Sequence, residues 1–173
     1  MASRLLVLTA LLMLFGSSAS RAEVNFNLMF GIRDETGSPD RLPAVGLAAD
    51  VGPSSWFVRP EFGAQIGFNP IFPGYESEYS LGLVRYWDLR GRGRVHFGAG
   101  AARLGSSFGF NEGSSSGGYA HGGIVWSRGE DLSLGLDLRF LKASDIRIEN
   151  DSFPLGYTQL TFLMSWRWWS ARR

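Results

Sequence analysis

The 173-residue chain contains no cysteine, which removes disulfide frameworks and thiolate metal sites from consideration. Lysine is almost as scarce. Lys142 stands alone, and a formal net charge of +1 provides no basic field of the kind nucleic acid requires, so nucleic acid is excluded as a partner. Histidine is limited to His96 and His121, and imidazole chemistry can draw on those two side chains at most. Beyond the first segment, no apolar run approaches the roughly 18 residues of a spanning helix. A bilayer leaves one other solution, a closed barrel that satisfies every backbone polar group internally.

What is present at the start is a short positive stretch, Met1 to Arg4, then an apolar run, Leu5 to Phe15, then small and polar residues from Gly16 to Ala22. This three-part layout predicts a secretory signal peptide over 1–22, cut before Glu23, with Ser17 and Ala19 permitting an earlier cut. A permanent helical anchor is the alternative, and the apolar run is short for it. The expected mature chain, 23–173, is one domain by size.

Its dominant pattern is alternation with a period of two, the signature of strands with one apolar face. In VNFNLMFGIR, Val24, Phe26, Leu28, Phe30 and Ile32 share a face against Asn25, Asn27, Met29, Gly31 and Arg33; in LSLGLDLRF, Leu132, Leu134, Leu136, Leu138 and Phe140 oppose Ser133, Gly135, Asp137 and Arg139. The same reading predicts strands near 42–51, 56–68, 78–87, 94–104, 118–127 and 156–168. The sixth is the weakest, with only Ile124 and Trp126 on its apolar face. The expected fold is all-β, an eight-stranded antiparallel up-and-down transmembrane barrel. Connections alternate between short (GPSS, DLRGRG, RGED) and long (DETGSPDR, NPIFPGYES, GSSFGFNEGSSS, ASDIRIENDSFP). Outer-membrane barrels keep short turns on the periplasmic side and long loops outside.

That topology puts all six tryptophans, Trp56, Trp87, Trp126, Trp166, Trp168 and Trp169, at the short-turn end, as a periplasmic aromatic girdle. Arg85 and Arg167 can extend toward the same boundary. Asp34, Glu35, Asp40, Glu76, Glu112, Asp145, Glu149 and Asp151 fall in or beside the long loops, and Arg90, Arg92, Arg94, Arg128, Arg172 and Arg173 fall on the short-turn side. Acidic loops are readable as solvated surface alone or as carboxylates that share divalent cations with lipopolysaccharide, and Arg103, near the outer boundary, is a snorkelling side chain at the interface or a candidate contact for a lipid phosphate.

Eight strands leave an interior that side chains fill. Arg59, Glu61, Asp137 and Arg139 have lumen parity, with Arg33, Asp50, Gln65 and Glu78 nearby, and they predict a plug of paired charges. Pro60 is awkward in the third strand, because it lacks an N–H for the ladder, and a local bulge is the expected remedy. No metal site, cofactor or catalytic residue is nominated. Gly98-Ala99-Gly100-Ala101-Ala102-Arg103 is better read as small residues in a crowded wall than as a dinucleotide loop, because no helix follows.

Eight alternating strands, alternating connection lengths and the aromatic final strand resemble the small outer-membrane β-barrel families, such as the transmembrane domain of outer membrane protein A and the outer membrane protein X and W families. The resemblance implies residence in the Gram-negative outer membrane, contact with its lipid and lipopolysaccharide, and recognition of Phe162, Met164, Trp166 and Trp168 by the barrel-assembly machinery. It also implies a structural or surface-interaction role without enzymatic activity, with an extracellular partner reached through the loops. The chain departs from the pattern by lacking a terminal phenylalanine. Three alternatives stand beside this reading: a narrow conduit for hydrophobic or small solutes, a soluble periplasmic lipid-binding barrel with its apolar faces turned inward, and a lipid A-modifying hydrolase. The eight-stranded lipid A deacylase family is similar in scale, and that likeness would imply a His and Ser late in strand seven. The matching stretch, Arg139 to Asp145, has no histidine, and Ser106, Ser107 and Ser114 to Ser116 are read as loop residues.

Overall fold

The computed structural model describes residues 22–36, 41–53, 58–68, 74–91, 93–108, 111–129, 131–148, 151–153 and 155–169. The expected signal segment therefore lies outside the described residues except for Ala22. Among the described residues every regular element is a strand: β1 (Ala22–Glu35), β2 (Arg41–Pro53), β3 (Arg59–Phe68), β4 (Gly74–Asp88), β5 (Gly93–Phe108), β6 (Asn111–Ser127), β7 (Leu132–Ala143), β8 (Ile146–Ile148), β9 (Asp151–Phe153) and β10 (Gly156–Trp169). Each long strand pairs antiparallel with its chain neighbour, and β10 returns to β1, which closes an eight-stranded barrel. Closure leaves no free sheet edge, so each barrel strand has a hydrogen-bonded neighbour on both sides.

The pleat sorts the side chains inside out relative to a soluble protein. Along β7, Ser133, Asp137 and Arg139 are buried, whereas Leu136, Leu138 and Phe140 are exposed, Phe140 by 51%. Phe30, Ile32, Leu47, Phe62, Leu81, Phe97 and Leu160 join the outer band. Monomeric soluble proteins rarely expose so much contiguous apolar surface, and a lipid-facing barrel requires it. A soluble lipid-binding barrel needs the opposite arrangement. That alternative is overturned by the outward leucines and phenylalanines.

Three details depart from the sequence reading. The stretch expected as the loop GSSFGFNEGSSS instead extends β5 and β6, with Gly105 opposite Ser114 and Leu104 opposite Ser115. Serine and glycine carry no apolar alternation, so the pattern is silent where the ladder alone holds the strand. Ser106, Ser107 and Ser114 to Ser116 are thus strand residues, not loop residues. Within the last long connection, β8 and β9 form a small hairpin, Ile146 opposite Phe153. It is tied to the barrel through hydrogen bonds from Ser144 N to Ser116 O and from Ala143 N to Leu155 O.

The bulge expected at Pro60 is absent. Pairing with β4 runs unbroken through Arg59–Val84, Pro60–Leu83 and Glu61–Gly82, while the ladder with β2 stops at Asp50–Glu61. Pro60 therefore sits just past the end of one ladder, where strand prolines are tolerated. The irregularity lies elsewhere. Val24 opposes Trp169 and Asn25 opposes Arg167, so Trp168 is the extra residue of a bulge in β10. The turn after β4 closes with Leu89 N–H donating to Gly93 O, and Gly91 adopts a φ of 94° there, a conformation that favours glycine.

Candidate functional site

The lumen is the candidate site, because the alternation of all eight strands delivers their polar side chains to it. Near the short-turn end, Asp50 of β2 accepts hydrogen bonds from Asn25 Nδ2 at 3.0 Å, Arg59 Nη1 at 3.2 Å and the Tyr86 hydroxyl at 2.9 Å. Arg59 spans to Glu23 with its other terminal nitrogen, at 3.1 Å. Toward the long-loop end, Arg139 of β7 meets Glu78 of β4 at 2.5 Å and stacks over the Tyr119 ring at 3.7 Å. Tyr157 of β10 donates its hydroxyl to Glu78. Arg33 lies over the Tyr157 ring at 3.8 Å, bonds Gln159 through Nε at 2.9 Å and pairs with Glu76 at 3.3 Å.

Between these clusters lies a third. Glu61 of β3 accepts from the Tyr119 hydroxyl at 3.1 Å. Asp137 receives both imidazoles on one oxygen, His96 Nε2 at 2.6 Å and His121 Nδ1 at 2.9 Å. The register explains the convergence. His96 sits opposite Gly123 and His121 opposite Gly98 across β5 and β6, and Gly123 sits opposite Asp137 across β7. A Cβ on Gly98 would overlap the His121 ring, and one on Gly123 would lie 2.9 Å from His96 Cε1. The glycines therefore let each ring lie against the wall. Apolar side chains complete the filling: Met29, Val125 and Leu163 in one layer, and Leu104, Tyr119, Leu141 and Tyr157 in another.

Arg59, Glu61, Asp137 and Arg139 all point inward and are buried, but they do not pair with one another. Arg59 takes Asp50 and Glu23, Arg139 takes Glu78, Glu61 takes Tyr119, and Asp137 takes the histidines. Glu76, assigned to a loop from the sequence, is a buried lumen residue held by Arg33. Arg94 sits at the short-turn end, opposite Asp88, and its guanidinium lies 5.4 Å from the Tyr86 ring. The sequence reading missed both histidines and Tyr86, Tyr119 and Tyr157. Their parity was readable, but the cross-strand register that brings them together was not.

On the outer face, Trp87, Trp126 and Trp166 are exposed by 40, 45 and 38%. Trp126 pairs with Leu134 and Trp166 with Leu132, so both lie at the end of the barrel where β1 begins. Arg85 lies 4.7 Å from the Trp87 ring. Trp56 and the side chains of Trp168 and Trp169 lie outside the described residues. Arg103 faces outward and donates to Ser114 Oγ at 3.2 Å. Asp34 pairs with Arg41 at 3.0 Å, and Asp145 is exposed. Asp40 and Glu149, and the side chains of Glu112 and Asp151, lie outside the described residues.

Solved structures share this architecture. The chain superposes on neisserial surface protein A with a TM-score of 0.67 and 11% identity, over 85% of this chain and 97% of that one. The fold is that of the small outer-membrane β-barrels. The N-terminal barrel domain of OprF from Pseudomonas aeruginosa follows at a TM-score of 0.60 and 10% identity, over 84% and 97%. Ail, the attachment invasion locus protein of Yersinia pestis, gives 0.52 and 8%, over 85% and 97%. No protein-family model matches the chain, and no curated protein matches it in sequence.

Proposed function

We propose that this chain is a non-enzymatic barrel of the Gram-negative outer membrane, with a plugged lumen and a structural or surface-interaction role. The observation that carries this reading is the interior. Three hydrogen-bonded polar clusters and two apolar layers occupy it, and the cavity among Glu61, His96, His121 and Asp137 is only about 30 Å³, room for a water or two. A conduit would need an open path along the axis or a gap in the wall, and each of the eight barrel strands is laddered to both neighbours. A hydrolase would need a nucleophile and base presented to lipid; His121 is 7% exposed and turned inward to Asp137.

The surface role draws support from the long β5–β6 hairpin, the acidic residues of the long-loop end, and the names of two fold neighbours, a surface protein and an attachment invasion locus protein. In this reading the loop carboxylates share divalent cations with lipopolysaccharide, Arg103 meets a lipid phosphate, and the aromatic positions of β10 address the barrel-assembly machinery. The test is electrical. Purified barrel in a planar bilayer gives no steady conductance above the lipid background; sustained ion flow by the wild-type protein overturns the plugged reading.

A further inference from the structure

We propose that the lumen holds a divalent first-row transition-metal ion, of the zinc class, on His96, His121 and Asp137. Two imidazoles and a carboxylate are a ligand set such ions accept, and the three candidate ligand atoms lie within 4.8 Å of one another. Both rings direct a nitrogen at the same Asp137 oxygen, at 2.6 and 2.9 Å. Ligand atoms around a tetrahedral ion stand roughly 3.3 Å apart, given metal–ligand bonds of about 2.0–2.1 Å. Small ring shifts open the contacts to that spacing.

Charge points the same way. Among the described residues the lumen buries five carboxylates, Asp50, Glu61, Glu76, Glu78 and Asp137, against three guanidiniums, Arg33, Arg59 and Arg139. Buried charge of one sign left uncompensated is costly. One divalent cation at the centre of the excess supplies the two positive charges that balance it. His96 Nδ1 has no hydrogen-bond partner, and His121 Nε2 lies 3.2 Å from Glu61 Oε2.

With the ion in place, Glu61 becomes the outer partner of His121, and Tyr119 in turn orients Glu61, the carboxylate–histidine–metal arrangement that fixes ring tautomers. The adjoining 30 Å³ cavity, lined also by Asn27 and Ser165, accommodates a water as fourth ligand. The ion-paired clusters above and below close the lumen, so loading accompanies folding rather than following it.

Untagged full-length mature barrel is refolded into detergent with Zn2+ or Co2+, dialysed against metal-free buffer and assayed by elemental analysis. The expected result is a single ion retained per folded chain. His96→Gln and His121→Gln each weaken retention roughly tenfold or more, and Glu61→Gln weakens it less while keeping the stoichiometry. X-ray absorption of the wild-type Zn2+ form, which depends on no variant folding, shows a shell of two imidazoles and oxygen. Folded wild-type barrel that retains neither ion overturns the site, as does retention unchanged in the doubly substituted barrel or an absorption shell without imidazole.

Discussion

Arg139 and Glu78 meet inside a barrel that water barely enters, and the pair illustrates how buried charge behaves there. The net contribution of such a pair to stability is small, because desolvation offsets the attraction, but removing one partner strands the other. Glu78→Gln is expected to cost about 3–5 kcal/mol, read as a lowered urea midpoint in lipid vesicles by tryptophan fluorescence. The double change Glu78→Gln with Arg139→Met should cost less than the two single losses added together. Additive losses would mean the pair is not coupled. Gly98 works by absence: its missing Cβ leaves room for the His121 ring. Gly98→Ala should destabilise by roughly 1–3 kcal/mol through overpacking, and the same urea titration checks it.

Strands set how deep each side chain sits. Phe162 of β10 stands opposite Leu136 and Phe30, well inside the apolar band, whereas Trp166 is near its lower rim. Phe162→Arg should cost about 2–4 kcal/mol, as charge does near a bilayer midplane, and Trp166→Arg about 0–1 kcal/mol. Equal costs at the two positions would contradict a membrane-embedded band. The girdle makes its own prediction. Trp87, Trp126 and Trp166 fluorescence should be quenched most by bromine near the headgroup and least by bromine at the chain end, since the indole favours the interface. The β5–β6 hairpin is the element the sequence conveyed worst. A run of glycine and serine has no period to read, and only its neighbour's register turns it into strand.

The closed barrel as a unit predicts a heat-modifiable band on gels and retention in the membrane fraction until detergent is added. A freely dissolved monomer without any amphiphile would defeat the outward orientation of the apolar face. The acidic long-loop end predicts a further collective property. Stability of the barrel in lipopolysaccharide-containing membrane should fall when magnesium and calcium are chelated, measured by thermal unfolding, and an unchanged transition would remove the proposed cation sharing.

Much of this organisation is local and so was legible in the chain. A period of two names both faces of β1 and β7, and absent cysteine and absent long apolar runs narrow the solutions to a barrel. Turn residues separate the strands, and parity alone assigns Arg59, Glu61, Asp137 and Arg139 to the interior. Parity does not say which inward residue meets which, because that depends on the offset between strands far apart in sequence. The stagger of the ladders gave Arg59 to Asp50 and Arg139 to Glu78, drew Glu76 out of its expected loop, placed Pro60 where a ladder ends, and joined two lone histidines to one aspartate. Alternation belongs to each strand; the meeting of side chains across the lumen belongs to the closed ring.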